Sequence, residues 1–145
     1  MRNNNSLLLV AATSALLAAF AHLVCIVWGP DGYRFFGAGE QMARLAEQGH
    51  WYPVTITLVI AGVLTVFALY ALSGAGIIRR LPLLRFALLG ISLVFLARAL
   101  GFVAIMPMFP ENSLTFWLVS SGICFIIGAS FAYGTYQSWR ALSKG

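Results

Sequence analysis

Arg98 stands in an otherwise apolar run, SLVFLARALGFVAIMPMF, residues 92–109. A guanidinium cannot shed its proton to escape such surroundings. It carries five N–H donors in a planar fork that matches a carboxylate or a phosphate. A second ionisable side chain, His22, lies in AAFAHLVCIVW, residues 18–28. Its imidazole could serve as a base or as a hydrogen-bond bridge. The hydroxyls of Thr55, Thr57, Ser120 and Ser121 could complete a polar pocket around such a pair. The chemistry this set suggests is the holding of an anionic or amphipathic, lipid-like molecule.

What positions these residues follows from composition. The chain has 145 residues, 61% of them hydrophobic and 9% charged. Soluble domains carry roughly 25% charged residues. Nine basic and four acidic side chains cannot coat a water-facing surface, so lipid is the expected solvent. The net charge of +5 comes from basic residues scattered at the ends of apolar segments. That scatter argues against a nucleic-acid surface and leaves membrane lipid as the expected partner.

Four apolar segments, about residues 6–28, 53–78, 83–106 and 114–136, each reach the ~20 residues that cross a bilayer as a helix. Free backbone groups find no water there, which forces helices. The expected fold is all-α, a polytopic membrane protein with four transmembrane helices in an antiparallel bundle, forming one domain over 1–145. MRNNN followed by Leu7–Phe20 and Ala19-Phe20-Ala21 imitates a cleaved signal. The apolar run continues through Trp28, so a retained first helix is expected.

Basic residues orient the threading. With the N-terminus inside, Arg2, Arg79, Arg80, Arg85, Arg140 and Lys144 fall inside, against Arg34 and Arg44 outside. All four acids, Asp31, Glu40, Glu47 and Glu111, also fall outside. The expected location is a bacterial inner membrane with both termini cytoplasmic. Trp28, Trp51, Tyr52, Tyr136 and Trp139 suit the two interfacial belts. The first outer loop, GPDGYRFFGAGEQMARLAEQGHWYP, has Phe35, Ala38, Met42 and Leu45 at helical spacing. It predicts a short amphipathic helix over about 35–48, with Glu40 and Arg44 an i,i+4 pair.

Depth follows from the helical rise. Arg98 lies roughly 12 Å below the outer end of its helix, His22 roughly 9 Å, and Ser120 and Ser121 roughly 9–11 Å. The polar set therefore shares one layer in the outer half. No Asp or Glu occurs in any apolar segment, so a carboxylate partner for Arg98 must descend from an outer loop. Glu111 and Glu40 are the candidates. Two readings of Arg98 stand open: a snorkelling or ion-paired residue that locks the bundle, and the receptor of an outward-facing pocket shared with His22. His22 has its own plain reading, a ring bonded to a hydroxyl or a backbone carbonyl.

Small residues at spacings of three and four mark helix contacts. They run Ala11, Ala15, Ala18, His22, Cys25, Gly29 on the first helix and Gly90, Ala97, Gly101, Ala104 on the third. Ser120, Cys124, Gly128 and Ala132 continue the pattern on the fourth. These faces would meet helices of the same chain, a second copy or a partner membrane subunit. Cys25 and Cys124 differ by roughly 10 Å in depth, too far for the ~7 Å that a disulfide allows between Cα atoms. Met106 and Met108 flank Pro107 and read as helix-end packing. No catalytic set, metal site or cofactor is predicted. A binding or transport-assisting role comes first, an accessory or scaffold subunit second, and an enzyme acting on a lipid or quinone third. In size the chain is similar to small four-span drug exporters and to membrane glutathione-transferase-like proteins. It lacks the first-helix glutamate of the one and the Arg-Asn-Glu pattern of the other, so no residue is carried over.

Overall fold

The computed structural model describes residues 5–143; Arg2 and Lys144, both used in the threading, lie outside the described residues. The chain is all-helical among them, with no strand. Helix α1 spans Ser6–Trp28. Two short helices follow, α2 (Pro30–Phe35) and α3 (Glu40–Glu47). The long helix α4 spans Trp51–Gly74. Next come α5 (Leu84–Leu100), the single turn α6 (Phe102–Ile105) and a 3-10 turn over Met106–Met108. Helix α7 spans Leu114–Ser143.

Helices α1, α4 and α7 are long and apolar enough to cross a membrane. The pair α5 plus α6 and its 3-10 turn makes a fourth candidate if read as one span. That count of three to four, with exposed Leu17, Phe20, Val59, Leu93 and Ile126 on the outward faces, marks a multi-pass membrane protein. The third segment is not the straight helix expected over 83–106. It bends by 61° at Gly101, whose N–H caps α5 by donating to the Ala97 carbonyl at 2.8 Å. Pro107, which has no N–H to donate, falls in the 3-10 turn six residues later. The straight part of α5 is 17 residues, about 25 Å of rise. Helix α7 is longer than the expected 114–136. Hydropathy fades at Tyr136, but the buried face continues through Phe131, Thr135, Ser138 and Leu142, so packing carries the helix on to Ser143.

Helix α1 packs most extensively on α4, and α5 on α7, with α1–α7 and α4–α5 contacts joining the pairs. Asn5 begins this order. Its Oδ1 accepts from the N–H groups of Leu7 and Leu8, capping α1, while its Nδ2 donates to the Gly134 carbonyl and the Ser138 hydroxyl, both at 2.7 Å. The start of α1 therefore lies against the last part of α7. Leu8 also meets Gly134 there so closely that a Cβ on the glycine would come within 2.9 Å of the leucine. The α5–α7 seam is built alike. Ser92 donates to the Gly128 carbonyl at 3.1 Å, and a Cβ on Gly128 would meet the Leu96 side chain at 2.9 Å and its backbone nitrogen at 3.1 Å. Phe95 and Phe131 stack beside it, 5.9 Å between centroids.

The small faces expected to meet other helices divide. Ala11, Ala15 and Cys25 of α1 and Gly128 of α7 are buried. Gly90, Ala97, Gly101 and Ala104 are exposed instead, because α5 presents Leu88, Ile91, Ser92, Phe95 and Ala99 inward. Cys25 and Cys124 are free thiols.

Gly128→Ala should lower the thermal midpoint in detergent, since the added methyl must push α5 off α7; overpacking of this kind costs about 1–3 kcal/mol. Gly122→Ala has open space around its Cβ and should be neutral or stabilising by up to ~1 kcal/mol from helix propensity. Equal midpoints for the two variants would refute the close approach.

Candidate functional site

Arg98 emerges from the last turn of α5, where unpaired carbonyls favour a cation. It is half-buried. Its Nη1 donates to the Ser121 hydroxyl at 3.5 Å, and its Cζ lies 5.1 Å from the ring centroid of Trp117. Ser121 and Trp117 are one turn apart on α7, so a single face of that helix receives the guanidinium. The ring face attracts the cation electrostatically, by about 2 kcal/mol or more where water is excluded.

Trp117 is 2% exposed, and Phe102, Phe109 and Phe116 surround it with centroids 5.8–6.4 Å away. The bend at Gly101 brings Phe102 and Phe109 back to this ring. The indole Nε1–H is buried and has no hydrogen-bond partner among the described residues. The α1–α4 connection lies against the same corner: Asn112 donates to the Gly37 carbonyl at 3.0 Å, and Phe109 abuts Gly39.

The other predicted site residues distribute differently. Ser121 is buried at Arg98, whereas Ser120 is half-buried and donates back to the Trp117 carbonyl at 3.2 Å. Thr55 is exposed on α4. Thr57 is buried but donates to the Pro53 carbonyl of its own helix at 2.7 Å. The His22 ring bonds within α1, its Nδ1 lying 2.7 Å from the Ala18 carbonyl. Because that carbonyl can only accept, Nδ1 carries the proton there. Among the described residues, Arg98 and His22 share no hydrogen-bond partner, for α1 packs chiefly on α4 and Arg98 turns to α7.

Neither proposed acid reaches Arg98. Glu40 is held by Arg34, with Nε–Oε2 and Nη2–Oε1 both at 2.9 Å, a fork-to-carboxylate pair. The expected Arg44 bond to Glu40 is also present at 3.3 Å. Arg34 further binds Glu47 at 2.7 Å and Asp31 at 3.4 Å. Glu111 is exposed beside a surface depression of about 380 Å³ that Glu40, Gln41 and Arg44 also line. Among the described residues every ion pair therefore belongs to Arg34 or Arg44, and Arg98 has neutral partners.

Sequence reasoning missed the Arg34 hub, although two arginines and three acids in one connection were a usable signal. One helix over 35–48 was expected there. Two form, with residues 36–39 and two positive-φ glycines, Gly37 and Gly39, between them. That break sends α3 back so that Glu40 and Glu47 reach Arg34. On α3 the buried residue is Ala43, against Cys25 and Tyr33, with Arg44 and Glu47 exposed; of the expected apolar face, Phe35 is exposed on α2 and Ala38 lies in the break. His50 caps α4 by accepting the Tyr52 N–H at 3.1 Å.

Hydrogen bonds from Arg34 hold the Glu40 carboxyl down at about 2, against its ordinary 4.5, with partial desolvation opposing and Arg44 assisting. The same bonds raise the Arg34 guanidinium above its usual range. A depressed carboxylate stabilises the folded connection fully above pH 4.5, and that contribution is lost as pH falls through about 2. In an NMR titration the Glu40 carboxyl carbon should report a midpoint near 2. Arg34→Gln should move it up toward the ordinary value; an unmoved midpoint would contradict the hub.

Comparison with family models, with characterised proteins and with solved structures gives no match for this chain.

Proposed function

We propose that the chain is a four-span protein of a bacterial inner membrane, both termini cytoplasmic, that binds or helps to move an anionic, lipid-like molecule at Arg98. The carrying observation is a guanidinium without a carboxylate: Arg98 meets a hydroxyl and an aromatic face, and among the described residues no carboxylate lies within ion-pair distance. A charge left so in hydrocarbon is costly, and an incoming phosphate or carboxylate would complete its donor set. The unpartnered indole N–H of Trp117 adds a buried donor to the same corner. Arg98 is half-buried at the bend of α5, so the ligand would approach from the bilayer beside that bend. His22, bonded to its own helix, has no part in this version of the site, nor has the exposed Thr55.

The threading rests on charge. Arg79, Arg80, Arg85 and Arg140 lie at one end of the helices, while Asp31, Glu40, Glu47 and Glu111 lie in the connections at the other. Reading α5 with α6 as a span makes four crossings. The exposed small face of α5, Gly90, Ala97 and Gly101, would suit a second copy or a partner membrane subunit.

A second reading has its own observation. Arg98 sits in the last turn of α5 and contacts α7 at Trp117 and Ser121. In that reading it clamps α5 to α7 in an accessory or scaffold subunit, and an enzymatic role ranks below both.

Arg98→Met separates them. If Arg98 receives a ligand, the variant should fold with an unchanged or higher thermal midpoint and lose a co-purifying anionic species seen by native mass spectrometry. A clamp predicts a lower midpoint and no lost species. Glu40→Gln should leave that species in place, since Glu40 serves Arg34. Reporter fusions at residues 48, 80 and 112 should be external, cytoplasmic and external respectively; any other pattern refutes the threading.

A further inference from the structure

At the opposite end of the helices from Arg98 lies a groove of about 520 Å³, within the ~300–1,000 Å³ of small-molecule sites. Residues 80–86, which run from the α4–α5 connection into the first turn of α5, form one wall, and Leu142 and Ser143 of α7 form the other. We propose that this groove binds the phosphate headgroup of an anionic phospholipid. The proposal does not depend on the Arg98 reading.

Two arginines line it in different ways. Arg85 is half-buried, with its Cζ 4.9 Å from the Phe86 ring and 5.1 Å from the Trp139 ring. Two aromatic rings thus flank the guanidinium, whose N–H groups form the donor set that a phosphate would take. Arg80 donates to the Ala141 and Leu142 carbonyls, which ties the last turn of α7 to the connection and holds the groove's two walls together. Ser73 shapes the same connection, accepting from the Leu81 N–H at 3.0 Å and donating to the Arg79 carbonyl at 3.1 Å. Leu83, at a left-handed φ of 52°, turns the chain into α5.

Among the described residues, the side-chain charge around the groove is of one sign. Arg79, Arg80, Arg85 and Arg140 gather at this end, and the chain's four acids all lie in the connections at the other. A lipid fits better than a soluble anion because the rim is apolar: Leu83 is 75% exposed and Phe86 57%, at the depth where α5 would enter hydrocarbon. A headgroup in the groove would leave its acyl chains against those side chains and the outward face of α5. Basic recesses between spanning helices at the cytoplasmic face suit anionic headgroups for this reason.

The test uses the full chain, titrated with phosphatidylglycerol or phosphatidylcholine and read by native mass spectrometry. Phosphatidylglycerol should bind preferentially, and Arg85→Gln should weaken it about five-fold, the contribution of one basic side chain near an anionic surface. The double variant Arg79→Gln/Arg140→Gln removes more charge from the same end but touches no groove-lining residue, and should weaken it less. If that double variant weakens binding as much as Arg85→Gln or more, diffuse charge explains the preference and the site is overturned. Equal binding of phosphatidylcholine overturns it too, as does full displacement by millimolar inorganic phosphate, which would assign the groove to a soluble anion. On the unsubstituted chain, a photoreactive phosphatidylglycerol should label residues 80–86 and 142–143; labelling confined to other residues also overturns the proposal.

Discussion

Among the described residues, four side chains from other parts of the chain reach across to α7. Asn5 binds the Gly134 carbonyl and Ser138, Ser92 the Gly128 carbonyl, Arg98 the Ser121 hydroxyl, and Arg80 the carbonyls of the final turn. Apolar solvent gives helices little hydrophobic reason to associate, so contact depends on close packing and on bonds of this kind. Carbonyls inside a helix have a spare lone pair, and a neighbour can use it only when no side chain intervenes. Gly128 and Gly134 remove that obstacle at two heights. The remaining arrangement follows: α1 is held at its start, α5 along its middle and end, and α4 through its contact with α1.

The same seam explains how an arginine is tolerated within an apolar helix. Its charge is met by an aromatic face, a hydroxyl and the carbonyl end of α5 rather than by a carboxylate. Each contribution is modest, and each exists because α5 stops at Gly101 and α7 passes close by. The bend then folds Phe102 and Phe109 back over Trp117, so one break both ends the helix and closes the aromatic corner. Glu40, one of the two acids that might have neutralised Arg98, is spent on Arg34, which pins α2 and α3 together over the end of α1.

The two ends of the molecule differ in kind. One is a folded connection, with α2 and α3 locked by ion pairs and packed on Cys25 through Tyr33 and Ala43. The other is a short turn stapled by Ser73 and framed by arginines. Among the described residues the acids lie in the connections at one end and Arg79, Arg80, Arg85 and Arg140 at the other, and a basic bias of this kind is what orients a chain in a membrane.

Most of the all-helical plan was legible in the residues themselves. Uninterrupted apolar runs of helical length admit little else in lipid, and Gly101 and Pro107 stand where the third run fails. Ser121, which meets Arg98, was among the residues that spacing placed at a similar distance along the helices. Partner choice could not be read. Depth along a helix says nothing about rotation around it, so His22 and Arg98 share a layer in sequence but turn to different helices, and Thr55 faces outward. Trp117 was missed as a cation receptor because its orientation depends on the α5 bend. Which loop acid answers which arginine was also undecidable from spacing, since three carboxylates lay within reach of either. Local hydrogen bonding and hydrocarbon length thus determined the elements. Rotation, bend and loop path, which depend on how side chains fit across a seam, were decided only in three dimensions.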